Sequence, residues 1–230
     1  MKLRFLGHNA WHLTVESLSI LIDPFLSSNS LAACSPDSLQ ADFILVSHGH
    51  GDHFGDTISI AKRTGAIVVS IAEIVSYCTQ QGVKSTLAMN LGGSVQLPFG
   101  KVKMVPAIHS STLPDGTPGG SPVGFLITLK GGLRLYFACD TALFSDMKFF
   151  SGVDYAALPI GDLFTMGPDD ALEAVKIIQP RNVIPCHYGT WPPINQDVQA
   201  WKVRVEKETL SKCVVMKSGE ELSLVNSLLR

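Results

Sequence analysis

Apolar residues near the N-terminus come in short alternating runs broken by glycine, proline and polar pairs, which predicts β-strands over residues 2–6, 11–15, 19–23 and 43–46. The period then lengthens. Between Phe54 and Gln81 the spacing predicts helices over 57–64 and 71–79, the second ended by Gly82, on either side of a strand at 66–69. Strand patterns return at 94–97, 102–106, 123–129 and 133–137, and Gly131 with Gly132 supplies a hairpin turn between the last two. From Tyr155 the order is strand (155–158), helix (168–178), strand (182–185) and helix (196–209). Pro168 suits a first helical position, and Asp169 and Asp170 complement the positive end of the helix dipole. The tail, 213–216 then 221–225, reads as a closing hairpin, and the Gly- and Pro-rich stretch 110–122 as a flexible linker. Strands alternating with helices make this an α/β chain.

Composition narrows the class. The 230 residues fit one domain spanning 1–230, and 46% apolar against 17% charged residues excludes disorder. The longest apolar stretch, 66–75, is broken by Ser70 and Glu73, so no membrane partner is expected. Eighteen basic and 20 acidic residues, without a basic stripe, argue against nucleic acid. Gly7, His8, Asn9 and His12 interrupt any signal-like segment after Lys2 and Arg4, and the five scattered cysteines lack a CxxC pair. A cytoplasmic protein with reduced thiols is the expectation.

The chemistry concentrates at His48, Gly49, His50, Gly51, Asp52 and His53, directly after the apolar run 43–46. Imidazole and carboxylate are the donors that zinc, manganese or iron accept, and a loop leaving a buried strand can turn several onto one point. His109, Asp140 and His187 each follow a predicted strand, the position at which α/β folds assemble sites.

In these residues the chain resembles the metallo-β-lactamase-fold metal-dependent hydrolases, whose HxHxDH signature is His48, His50, Asp52 and His53. GHNA at 7–10, IDP at 22–24, PAIH at 106–109, CDTALF at 139–144, PIGD at 159–162, TMGP at 165–168 and IPCHYGTW at 184–191 extend the likeness over almost the whole chain. It looks closest to the small prokaryotic branch akin to L-ascorbate 6-phosphate lactonases. The resemblance implies a four-layer αβ/βα sandwich with two divalent metal ions, zinc foremost, with manganese, iron or nickel as alternatives. It implies that His48, His50 and His109 hold the first ion, Asp52, His53 and His187 the second, and that Asp140 bridges them. Cys139 departs from the glycine more usual before the bridging aspartate. If strand alternation holds there, its thiol points away from the metals.

Such a centre lowers the pKa of a shared water, so the implied activity is hydrolysis of a small-molecule ester, lactone or phosphoester by a metal-bridging hydroxide that Asp52 orients. The alternative is a non-catalytic metal-binding sensor or scaffold. A phosphorylated substrate calls for Lys or Arg, yet none lies within five positions of any of the seven ligand candidates. Thr190 and Trp191, just beyond His187, are expected to line the substrate pocket. His8, in a turn at the edge of the implied site, is expected to donate to the oxyanion or protonate the leaving group. Whether the chain forms a homo-oligomer is left open.

Overall fold

A computed structural model of the chain describes residues 1–225. Two seven-stranded mixed sheets face each other, built on the same plan. In the first, β1 (Lys2–Gly7), β2 (Ala10–Val15) and β3 (Leu18–Ile22) form an antiparallel meander, and β4 (Phe43–Leu45), β5 (Ile67–Ile71) and β6 (Thr86–Met89) continue it in parallel. Helix α1 (Gly51–Phe54) is a single turn after β4. The helices α2 (Thr57–Thr64) and α3 (Ala72–Gln80) lead into and out of β5. In the second sheet β7 (Ser94–Leu97), β8 (Gly100–Pro106), β9 (Val123–Leu129) and β10 (Arg134–Phe137) run antiparallel. The strands β11 (Tyr155–Pro159), β12 (Asn182–Cys186) and β13 (Lys212–Cys213) then run parallel to β10, with α4 (Pro168–Ile178) and α5 (Val198–Glu208) as crossovers.

Burial follows topology. Every residue of β4 and β11 is buried, as expected of parallel strands covered on both faces, whereas β8 alternates buried and exposed positions through Gly100, Lys101, Val102 and Lys103. Aromatic contacts stitch the sheets together: Trp11 packs on Phe5 at 4.7 Å and reaches across to Phe137 at 5.8 Å, and Phe43 meets Phe99 at 5.2 Å. A second apolar layer, including Met147, Leu158, Leu172, Val175 and Trp201, lies between the second sheet and α4 and α5. These layers form the expected four-layer α/β sandwich.

Local signals set most boundaries. Helix α4 starts at Pro168 as predicted and stops where Gln179 turns left-handed, its N–H returning to the Val175 carbonyl. Helix α5 begins two residues later than expected, because the Asp197 carboxylate caps the N–H groups of Gln199 and Ala200. Gly131 and Gly132, both at positive φ, form the β9–β10 turn.

Three expectations fail. The tail is not a hairpin: β13 adds to β12, whereas β14 (Glu221–Ser223) pairs antiparallel with β1 in the other sheet. Strand patterning identified both segments but carries no information on the partner of each, and non-local backbone bonds (Val214 N–H to the Val183 carbonyl, Gly219 N–H to that of Phe5) decide it. Strand β6 was missed because it is short and largely half-buried, so its sequence shows no clean alternation. The 110–122 segment is no linker. Its turns are closed by Leu113 N–H to the Thr117 carbonyl and Gly119 N–H to that of Ser111. The Ser111 hydroxyl accepts from Gly49 N–H at 3.0 Å, which fixes the loop against the histidine motif.

Candidate metal centre

The residues named from sequence converge at one edge of the paired sheets. The loop after β4 and the one-turn helix α1 present His48, His50, Asp52 and His53; His109, Asp140 and His187 stand beyond β8, β10 and β12. Among the described residues three compact groups of donors form, of which the third, Asp23 with His48 and His53, shares its histidines with the other two. His48, His50 and His109 offer three imidazoles whose ligand atoms lie within 4.8 Å of one another, and Asp52, His53, His187 and His8 form a second group of the same compactness. Asp140 stands between the first two groups. Its Oδ1 is 3.0 Å from His53 Nε2, and its Oδ2 is 3.1 Å from His187 Nε2 and 3.6 Å from His109 Nε2.

The fit to cations rests on atoms that have no other partner. His53 Nε2, His187 Nε2 and Asp140 Oδ1 are buried and lack a hydrogen bond of acceptable geometry, although they face one another at close range. Buried polar atoms in that state are costly unless an ion satisfies them. The electrostatics agree. Burial alone would lower the His187 pKa, but Asp140 beside it outweighs this and raises it to about 9; His53 is raised well above its usual value by the same carboxylate against the same penalty. Burial would raise the Asp140 and Asp52 carboxyls, yet the imidazoles around them hold both well below the ordinary range. A buried centre with two carboxylates that attract positive charge suits divalent cations.

Sequence reasoning missed Asp23. This buried carboxylate, just past β3, accepts from Ser47 N–H at 2.8 Å, Ser47 Oγ–H at 2.6 Å and His53 Nδ1–H at 2.8 Å. With Ser47 donating to Asp23, His48 Nδ1–H donates to Ser47 Oγ at 2.9 Å. These bonds hold both rings with Nε2 turned toward the centre, that of His48 3.0 Å from His50 Nδ1 and that of His53 3.0 Å from Asp140 Oδ1. The available signal was Asp23's place at the end of a strand, shared with His109, Asp140 and His187, within the quoted IDP stretch.

Two residues stand elsewhere than expected. His8 is fully buried, with Nδ1 2.8 Å from Thr190 Oγ1 and Nε2 3.2 Å from Asp52 Oδ2, so it sits behind Asp52 with neither nitrogen free for an oxyanion. Burial lowers its pKa to about 4, which favours the neutral ring. Thr190 is also buried and serves His8; it does not line the cavity. The backbone approaches closely in this corner: His187 N–H donates to the His8 carbonyl at 2.7 Å, and His8, Asp23, Cys139 and His187 all adopt left-handed φ between 46° and 58°. Gly161 is required there, since a Cβ would lie 2.1 Å from the His187 carbonyl oxygen. Trp191 does face the cavity, its ring 4.9 Å from that of His8. Cys139 is buried, with Sγ turned toward the Phe137 carbonyl, and belongs to none of the donor groups. The left-handed backbone beyond β10 sets that direction; strand alternation does not extend so far.

Fold and donor set together define a metal-dependent hydrolase. The Beta-lactamase superfamily domain matches residues 19–188, and the chain belongs to that superfamily. Among its relatives is a UPF0173 metal-dependent hydrolase of Thermus thermophilus, 49% identical over 226 residues that cover 97% of this chain and 99% of the relative. A UPF0173 metal-dependent hydrolase of Methanopyrus kandleri is 45% identical over 227 residues, covering 96% and 98%. Among solved structures, the metallo hydrolase Igni18 of Ignicoccus hospitalis superposes with a TM-score of 0.89 at 36% identity, over 98% of this chain and 99% of that one. No helix among the described residues is long and apolar enough to cross a membrane.

Proposed function

We propose that the chain hydrolyses small, uncharged carboxylic esters or lactones at a centre of two divalent cations. One observation carries the choice of substrate. A cavity of about 380 Å³ opens over the donors, lined by His50, Asp52, His109, Ser110, Asp140, Phe164 and Trp191, with no lysine or arginine among them. Phosphoryl groups are recognised by such cations, so their absence favours the ester and lactone side of the expectation over phosphoesters. Zinc best suits the imidazole-rich donor set, and manganese, iron or nickel accept the same donors.

Divalent cations held by His48, His50, His109, Asp52, His53, His187 and Asp140 would supply a water of lowered pKa and Lewis acidity toward a carbonyl oxygen. The chain's own residues do the rest. The carboxylate of Asp52, a quarter exposed and anionic, accepts a hydrogen bond from the attacking water and aims its lone pair at the acyl carbon. His8 Nε2–H steadies Asp52, and Thr190 Oγ–H donates to His8 Nδ1 and so holds that tautomer. Water adds to the acyl carbon, the acyl–oxygen bond breaks, and the departing alkoxide leaves with the proton that water gave up. Trp191 walls the cavity beside the acyl group.

The test compares zinc-reloaded protein on p-nitrophenyl butyrate, a γ-lactone, p-nitrophenyl phosphate and bis-p-nitrophenyl phosphate. Ester and lactone should be turned over in preference, and a chelator should abolish the activity. Preference for either phosphate would overturn the reading.

A further inference from the structure

We infer that Phe164 selects the substrate's acyl group, gripping an apolar chain or ring in the cavity that Trp191 also lines; this rests on the ester and lactone reading above. Phe164 lines the cavity and is 57% exposed, its neighbour Leu163 is 65% exposed, and Ile108, next to His109, is 53% exposed. Large apolar side chains held in water at the mouth of a site mark a place where an apolar group docks.

The backbone that presents Leu163 and Phe164 is strained and braced. Asp162 and Leu163 are consecutive non-glycine residues at left-handed φ, 63° and 52°, a conformation that bulky side chains avoid. The Asp162 carboxylate accepts Leu163 N–H at 2.8 Å, Asp162 N–H donates to the Met166 carbonyl at 3.1 Å, and Gln196 Nε2 holds the Gly161 carbonyl at 3.0 Å. Met166 N–H donates in turn to the carbonyl of Thr141, the residue after Asp140. The turn is therefore tied to the donor centre through the neighbour of Asp140, and Phe164 is held beside the cavity.

A series of p-nitrophenyl esters from acetate to octanoate tests the inference on zinc-loaded protein. For the wild type, kcat/KM should rise about threefold to fourfold per methylene until the chain outgrows the cavity, the factor for taking one methylene out of water. In Phe164→Ala the octanoate-to-acetate ratio should fall at least tenfold, through KM, and Phe164→Leu should restore part of it. Calorimetric titration with octanoate and acetate, the cleavage products, gives a readout without turnover: octanoate should bind more tightly than acetate in the wild type and lose that advantage in Phe164→Ala. A wild-type rate independent of chain length, or equal binding of the two acids, overturns the assignment of Phe164 while leaving ester hydrolysis standing. Absence of ester and lactone turnover overturns the hydrolytic reading, and the titration then still decides the apolar subsite. If Phe164→Ala elutes as a smaller species than the wild type on gel filtration, the side chain belongs to a contact between copies and the assignment is wrong.

Discussion

The two sheets supply the centre in opposite ways. The first delivers four donors, His48, His50, Asp52 and His53, from six consecutive residues on one loop and one helical turn. The second delivers His109, Asp140 and His187 singly, from the ends of three strands. On the first side local chain geometry groups the ligands, and the carboxylate of Asp23 holds the rings of His53 and, through Ser47, His48. On the second side nothing local does so. Position there depends on the sheet register and on close backbone contacts such as that of Gly161 with His187. The His48, His50 and His109 group and the Asp52, His53, His187 and His8 group nevertheless each draw on both sheets, so both form only when the two halves of the sandwich are docked.

Substitutions can break or sharpen that contrast. The largest effect is expected for Asp140→Asn, which removes the one carboxylate facing both groups; metal content should fall at both positions and turnover by well over a hundredfold, beyond the 10–100-fold typical of losing an outer partner. Elemental analysis of the folded variant checks it, and retained metal with wild-type turnover would exclude Asp140 as the bridge. Gly161→Ala acts on the second side through the fold. The added methyl must push back the His187 carbonyl, and a loss of about 1–3 kcal/mol, as for other overpacked sites, should appear in a denaturation curve together with weakened metal retention. Asp23→Asn should lower metal affinity by about 10–100-fold, because His53 and Ser47 lose their anionic acceptor; a competition titration with a zinc chelator measures it. The smallest effect belongs to Thr190→Val. It removes the donor to His8 Nδ1 and should lower kcat severalfold with metal content and KM intact, whereas a change confined to KM would return Thr190 to the cavity wall.

The same contrast explains what could be read from the chain. The histidine motif was legible because its donors are contiguous, and His109, Asp140 and His187 because each stands at the end of a strand whose apolar pattern is clear. Asp23 occupies an equivalent position, but a carboxylate that acts through Ser47 and His53 has no motif of its own. His8 was identified as a residue of the site and misplaced within it. Which way a turn histidine points depends on Thr190 and Asp52, both distant in sequence. The α/β class was legible in the alternation of strands and helices, and the four-layer sandwich in the family resemblance. The destinations of 213–216 and 221–225 were not, because partner choice between two sheets is a non-local matter.

The central claim is that both sheets contribute to each of two ion sites, and counting zinc tests it most directly. Wild type, His109→Ala and His187→Ala should be loaded with zinc, passed through metal-free buffer and analysed by inductively coupled plasma mass spectrometry. The account predicts two ions per chain in the wild type and one in each variant, since His109 completes the group of His48 and His50, and His187 that of Asp52 and His53. A single ion in the wild type, or two ions retained in both variants, would contradict it.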